Sequence, residues 1–132
     1  DRLLFAPIYE VYFDRVYAYC LRRTGNVQEA EDLCSLVFTR ALAGLGGYRG
    51  GVVAAWLFQI AHNTVVKHYR AKRPLAGLDD QRELLALTLD AGLNSQEVAV
   101  IVGKSAGAVR VQLHRLLKQL RAQYEKISGE LA

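Results

Sequence analysis

Apolar residues recur every three to four positions through most of the chain, and the breaks in that rhythm fall at glycine, proline and asparagine. The pattern predicts helices throughout and no sheet. Leu4, Ile8, Val11, Tyr12, Val16, Tyr19 and Cys20 mark a helix from residue 2 to about 23, with a bend expected at Pro7. Arg22 and Arg23 suit its C-terminal end, where cations oppose the helix dipole. Thr24, Gly25 and Asn26 interrupt the pattern. A second helix is predicted over about 28 to 43, with Ala30, Leu33, Val37, Ala41 and Leu45 inward and Glu29, Glu31 and Asp32 near its start. Gly44, Gly46, Gly47, Gly50 and Gly51 then make a loop around Tyr48 and Arg49.

A third helix from Val52 to Arg73 places Ala54, Leu57, Ile60, Ala61, Thr64, Val65 and His68 along one side, with Pro74 and Gly77 as its stop. Trp56 and Phe58 fit core packing on the same helix, and Trp56 equally fits a stacking surface. A short helix over 79 to 90 follows, built on Leu84, Leu85, Leu87 and Leu89 and capped by Asp79 or Asp80.

Residues 93 to 121 carry the most specific pattern. Val98, Ala99, Ile101 and Val102 form one apolar stripe and Val109, Leu113, Leu116 and Leu120 another, with Gly103 between them. A small residue at Ala99, a glycine four positions on and an apolar plug at Val109 have the offsets of a DNA-binding helix-turn-helix. With Val109 inward, Gly107, Arg110, Val111, His114, Arg115, Lys118 and Arg121 face outward. Such a cationic face suits phosphates and guanine edges in a major groove, while a solvated face on an ordinary helical hairpin has the same charge pattern. After Arg121 the helix is expected to continue to about Ile127 and fray at Gly129.

Composition refines this picture modestly. Seventeen Lys and Arg against thirteen Asp and Glu give a net charge of +4, which favours an anionic partner. Lys67, Arg70, Lys72 and Arg73 cluster without an acid among them. No apolar run reaches the roughly 18 residues that span a bilayer, and the first residues lack a signal pattern, so no membrane insertion and a cytoplasmic location are expected. Cys20 and Cys34 lie in helical patterns without CxxC spacing and are expected to be buried free thiols. His62, His68 and His114 are scattered, and no metal spacing or phosphate loop occurs. A catalyst, a cofactor, a metal and a small-molecule substrate are therefore not expected.

Three blocks in order, EAEDLCSLVFTRAL at 29–42, AWLFQIAHNTVVKHYRAKR at 55–73 and LDDQRELLALTLDAGLNSQEVAVIVGKSAGAVRVQLHRLLKQLR at 78–121, resemble the extracytoplasmic-function sigma factors of bacterial RNA polymerase. The resemblance implies an all-α protein of two small helical domains: a region 2 type bundle over 1–73 and a region 4 type helix-turn-helix domain over 78–132, joined by a linker at 74–77. It implies docking of core polymerase on Glu29, Glu31, Asp32, Leu33 and Ser35, and capture of the upstream-melted promoter element by Tyr48, Arg49, Trp56, His62, Asn63, Lys67 and Arg70. An aromatic ring can stack on an extruded base, and Lys or Arg can hold a single-stranded backbone. Ser105, Arg110, Val111, Gln112, His114, Arg115 and Lys118 fall on the recognition helix for the promoter element near minus 35. Where the family commonly has basic-Ser-Arg this chain has Arg110, Val111 and Gln112, and by helical angle Gln112 lies nearer the inward side. Control by an anti-sigma factor is a further implication.

Spacing sets one tension with that resemblance. Six residues, Pro74 to Asp79, reach roughly 20 Å when stretched, against about 34 Å for a single turn of DNA between recognition elements. The expectation is a longer tether between Arg73 and Leu78 than these residues supply; the alternative is a shortened protein that is no conventional initiator. An autonomous helix-turn-helix regulator and a sigma-mimicking adaptor that sequesters an anti-sigma factor are the competing functions.

Overall fold

The computed structural model describes residues 2–48, 52–72 and 78–131, and every regular element among them is helical. The helices are α1 (Arg2–Thr24), α2 (Val27–Ala43), α3 (Val53–Lys72), α4 (Leu78–Leu85), α5 (Ser95–Val102) and α6 (Ala106–Leu131), with a 3-10 turn at Leu45–Gly47. The linker residues 74–77, with Arg73, lie outside the described residues.

Local chemistry sets these boundaries. Asn26 caps α2 by accepting the Glu29 amide on its side-chain oxygen at 2.9 Å. Asn94 and Glu97 cap each other reciprocally at the start of α5, Asn94 accepting from the Glu97 amide at 2.9 Å and Glu97 from the Asn94 amide at 3.0 Å. Ser105 accepts the Ala108 amide at 3.1 Å and starts α6. Gly103 ends α5 in the left-handed region, φ 71° and ψ 33°, which glycine enters without a Cβ penalty.

Several expectations are corrected. α4 begins at Leu78 and widens into a π-helical stretch over Ala86–Asp90. Asp79 and Asp80 therefore lie in the first turn rather than at the cap, and Leu89, carried round by the wider turn, is exposed. Val11 is 64% exposed, because it sits at the solvent edge of the stripe made by Ile8, Val16 and Tyr19. α6 runs through Gly129 to Leu131, since one glycine near a helix end costs only about 1 kcal/mol. The packed body ends near Leu116, leaving Leu120 exposed, and Gln112 faces solvent rather than the core.

The buried residues form one cluster. Val16, Tyr19 and Cys20 of α1, Leu33, Val37 and Phe38 of α2, and Leu57, Phe58, Ala61 and Val65 of α3 continue into Leu84, Leu87, Val98, Ile101, Val109 and Leu113. α1 packs on α2, and it also meets α4 and the π-helical stretch, while α3 meets α5. Cys20 and Cys34 are buried and unpaired, as their helical positions require.

Candidate nucleic-acid and protein interfaces

In the helix-turn-helix, Val109 is fully buried between α5 and α6, and Ala99 is buried where the helices cross. That packing fixes the outer face of α6. Arg110, Val111, Gln112, His114, Arg115, Lys118 and Arg121 are all exposed on it. Ser105 is exposed at its N-terminal end; its oxygen is used by the cap, and its hydroxyl proton stays available as a donor. Lys104, which the sequence did not single out, donates to the Gln112 side-chain oxygen at 3.3 Å and adds a cation beside the face.

On α3, Trp56, Asn63, Lys67 and Arg70 recur at helical spacing and form one stripe. Asn63, Lys67 and Arg70 are exposed, and Asn63 accepts from Gln59 at 3.1 Å. Trp56 is half-buried against the core and packs on Tyr48, with ring centroids 5.3 Å apart and tilted by 56°. Trp56 thus has both a packed side and a presented edge. Arg49 lies outside the described residues. His62 stands apart from the stripe: its Nδ1 is 2.6 Å from Glu83 Oε1 on α4.

The acidic start of α2 divides as well. Glu31, Asp32 and Ser35 are exposed, whereas Leu33 belongs to the core and offers no side-chain surface. Asp32 accepts from Gln28 at 3.3 Å, and Glu29 lies 3.9 Å from His68 Nε2. Glu31 and Ser35 border a groove of about 570 Å³ between α1 and α2, walled by Phe5, Tyr9, Phe13, Tyr17, Phe38 and Leu42. The rings interlock: Phe38 lies 4.8 Å from Tyr9, and Tyr9 lies 5.3 Å from Phe13, centroid to centroid. Phe5, Tyr9, Phe13 and Tyr17 are spaced by four, a ladder that the sequence reading, which followed Ile8, Val16 and Tyr19, did not single out.

A second set of contacts went unread in the sequence. Arg23 of α1, 1% exposed, pairs with Glu83 of α4, 4% exposed. Tyr19 donates its hydroxyl to both Glu83 oxygens, at 2.7 and 2.9 Å. Burial, then the Glu83 carboxylate, pushes the Tyr19 phenol well above its ordinary 10.0. Arg22 pairs with Asp90, and Arg15 donates to the Ala91 carbonyl at the end of the π-helical stretch. Tyr69 donates to the Arg23 carbonyl at 2.8 Å and closes the set from α3.

Among the described residues no cluster of His, Cys, Asp and Glu could hold a metal, and no helix is long and apolar enough to cross a membrane.

A helical body ending in a helix-turn-helix with a cationic outer face defines a protein of the helix-turn-helix class. Sigma-70 region 2 matches residues 8–74, about half of the chain, and the chain therefore belongs to the sigma-70 family. It is 32% identical over 120 residues to the ECF RNA polymerase sigma factor SigW of Bacillus subtilis, covering 90% of this chain and 63% of SigW. The chain thus spans less than two thirds of that relative. Two solved structures share the fold. CnrH, in complex with the cytosolic domain of CnrY, superposes with a TM-score of 0.78 at 20% identity over 96% of this chain and 90% of CnrH. RpoE, in complex with the anti-sigma factor NepR from Bartonella quintana, gives 0.79 at 19% identity over 92% and 96%.

Proposed function

We propose that this chain is an extracytoplasmic-function sigma factor, a non-enzymatic cytoplasmic subunit that directs core RNA polymerase to promoters under the control of an anti-sigma factor. The observation that carries the reading is the pairing, in one sigma-70 chain, of a Gly103-turned helix-turn-helix with an exposed cationic face on α6 and a separate polar and cationic stripe on α3. The first suits a closed major groove and the second a single strand, the two forms a promoter presents during opening.

Core polymerase docks on the α1–α2 groove in this reading. Its aromatic walls favour an apolar partner surface, and Glu31 at its edge, with the exposed Asp32 next to it in the chain, favours a basic one. Glu29, paired with His68, acts through the start of the helix. RpoE is bound by an anti-sigma factor on the same fold, and SigW is an ECF sigma factor, which together support inhibitor control here. The domains are assigned as 1–73 for polymerase and the opened strand and 78–132 for the upstream duplex.

Reconstitution with core polymerase tests the reading. Promoter-dependent transcripts should appear only when the chain is added, and Phe13→Ala combined with Glu31→Lys should weaken co-purification with core by at least about tenfold, the loss of roughly 1.4 kcal/mol. Tight duplex binding without polymerase, coupled with no binding to core, would assign the chain to the autonomous regulators instead.

A further inference from the structure

We propose that Lys104, Gln112 and Arg115 form a clip for one backbone phosphate of duplex DNA, and that Gln112 holds this phosphate rather than reading a base. The clip rests on the sigma-factor reading for its duplex, while the geometry alone selects the three side chains.

The Gln112 amide is oriented by its neighbour. Lys104 carries three donors and no acceptor, so its 3.3 Å contact with Gln112 uses the amide oxygen and leaves the amide nitrogen for another partner. Reading an adenine edge takes both ends of a glutamine amide, the oxygen for N6 and the nitrogen for N7. With the oxygen drawn to Lys104, Gln112 presents donors, and it presents them beside an ammonium group. Donors next to a positive charge suit an anionic oxygen.

Position along α6 points the same way. With Val109 inward, Arg110, His114 and Lys118 lie on the far side of the helix, whereas Gln112 and Arg115 are turned only about 60° and about 120° from Val109, both to one flank. A recognition helix lying in the major groove turns its outermost face to the base edges and its flanks to the sugar-phosphate walls. Lys104 follows Gly103 in the turn before α6 and reaches that flank, and all three side chains are exposed.

The three border a cleft of about 290 Å³ between α6 and α4, with Gln119 on the same wall and Asp80 and Gln81 opposite. Among the described residues neither Lys104 nor Arg115 is paired with a carboxylate, so both charges are open to an anion. Asp80 carries the same sign as a phosphate. It repels the anion from the α4 wall and leaves it against the cations of α6 and its turn.

The test uses holoenzyme made with the full chain and a duplex that it selects from a random-sequence pool, in which single phosphates are replaced in turn by neutral methylphosphonates. For the parent, one replacement on the flank side should lower affinity several-fold. Lys104→Met and Arg115→Met should each weaken the unmodified duplex several-fold, reduce the slope of log K against log salt by about 1, and make that same replacement silent. Gln112→Glu, whose carboxylate pairs with Lys104 and neutralises it, should match Lys104→Met, and combining the two should lose no more than either alone. Gln112→Met keeps the Lys104 charge, so it should weaken all sequences alike with the salt slope retained. Methylphosphonates equally harmful to the parent and to both cation variants overturn the clip, as do two different phosphates silenced by Lys104→Met and Arg115→Met. A base preference that moves with Gln112→Met overturns it too, by making Gln112 a reader. Should the chain fail to bind core, the sigma reading falls, and the same scan with the full chain alone on a duplex of its own selection decides the clip. A chain that binds neither core nor duplex overturns both.

Discussion

Arg23 and Glu83 form an ion pair shut away from solvent, at 1% and 4% exposure, although they belong to the first and fourth helices. Removing one partner leaves the other as an uncompensated buried charge. Arg23→Ala should therefore cost about 3–5 kcal/mol, read as a fall in the urea midpoint at constant m. Arg23→Met with Glu83→Leu should recover most of that loss. A single substitution costing under about 1 kcal/mol would mean that water reaches the carboxylate.

Gly103 sits at φ 71° between α5 and α6, with nothing within 4 Å of the place where a Cβ would stand. Substitution there meets no clash, only the left-handed backbone. Gly103→Ala should cost about 1–2 kcal/mol in thermal stability, and Gly103→Asn less, because asparagine tolerates that region. Equal losses for the two would point to a contact rather than to the backbone angle.

The helix-turn-helix was legible in the sequence because its signal is local: Ala99, Gly103 and Val109 each act within one or two turns. The inward faces of α2 and α3 were legible for the same reason, as Leu33, Val37, Leu57 and Val65 follow a single period. The buried ion pair was not. Arg22 and Arg23 satisfy the helix-dipole rule wherever they point, and nothing short of the tertiary fold says that Glu83 comes to meet them. Likewise the resemblance placed His62 among the strand-binding positions, and only the arrival of α4 shows it off their stripe and in contact with Glu83. The π-helical stretch escaped too, since one extra residue in a turn alters no composition.

Burial raises the Cys20 thiol to about 12, with Cys34 contributing next, and raises Cys34 to about 11, both from 9.0. An acid held protonated in the folded state loses its proton first in the unfolded chain. The two thiols therefore support the fold fully below pH 9, and their contribution drains as pH rises from 9 towards 11 and 12. At about 1.4 kcal/mol per pH unit for each group, pH 10 should cost roughly 3 kcal/mol relative to pH 8. Urea midpoints across that range check it, and Cys20→Ala should flatten the decline. At neutral pH both thiols should react with a disulfide reagent only as fast as the chain opens.

Arg110 and Lys118 both lie on the outer face of α6 but sit two turns apart, and their expected roles separate cleanly. Arg110, in the first half of the helix, is placed to enter the groove, where a bidentate contact to guanine is worth about 1–3 kcal/mol of discrimination. Lys118, further along, suits a phosphate. Measured on the holoenzyme, Arg110→Ala should lower affinity for the preferred upstream element by that amount and relax preference at one base pair. Lys118→Ala should weaken all sequences alike and reduce the slope of log K against log salt by about 1. Val111, at 49% exposure, offers a methyl surface where a hydroxyl would otherwise donate, so thymine at the neighbouring position should be preferred, and Val111→Ser should erase that preference while leaving the salt slope unchanged. Identical sequence profiles for the parent and both Arg110 and Val111 variants would remove α6 as the reading helix and leave its charge as an ordinary solvated face.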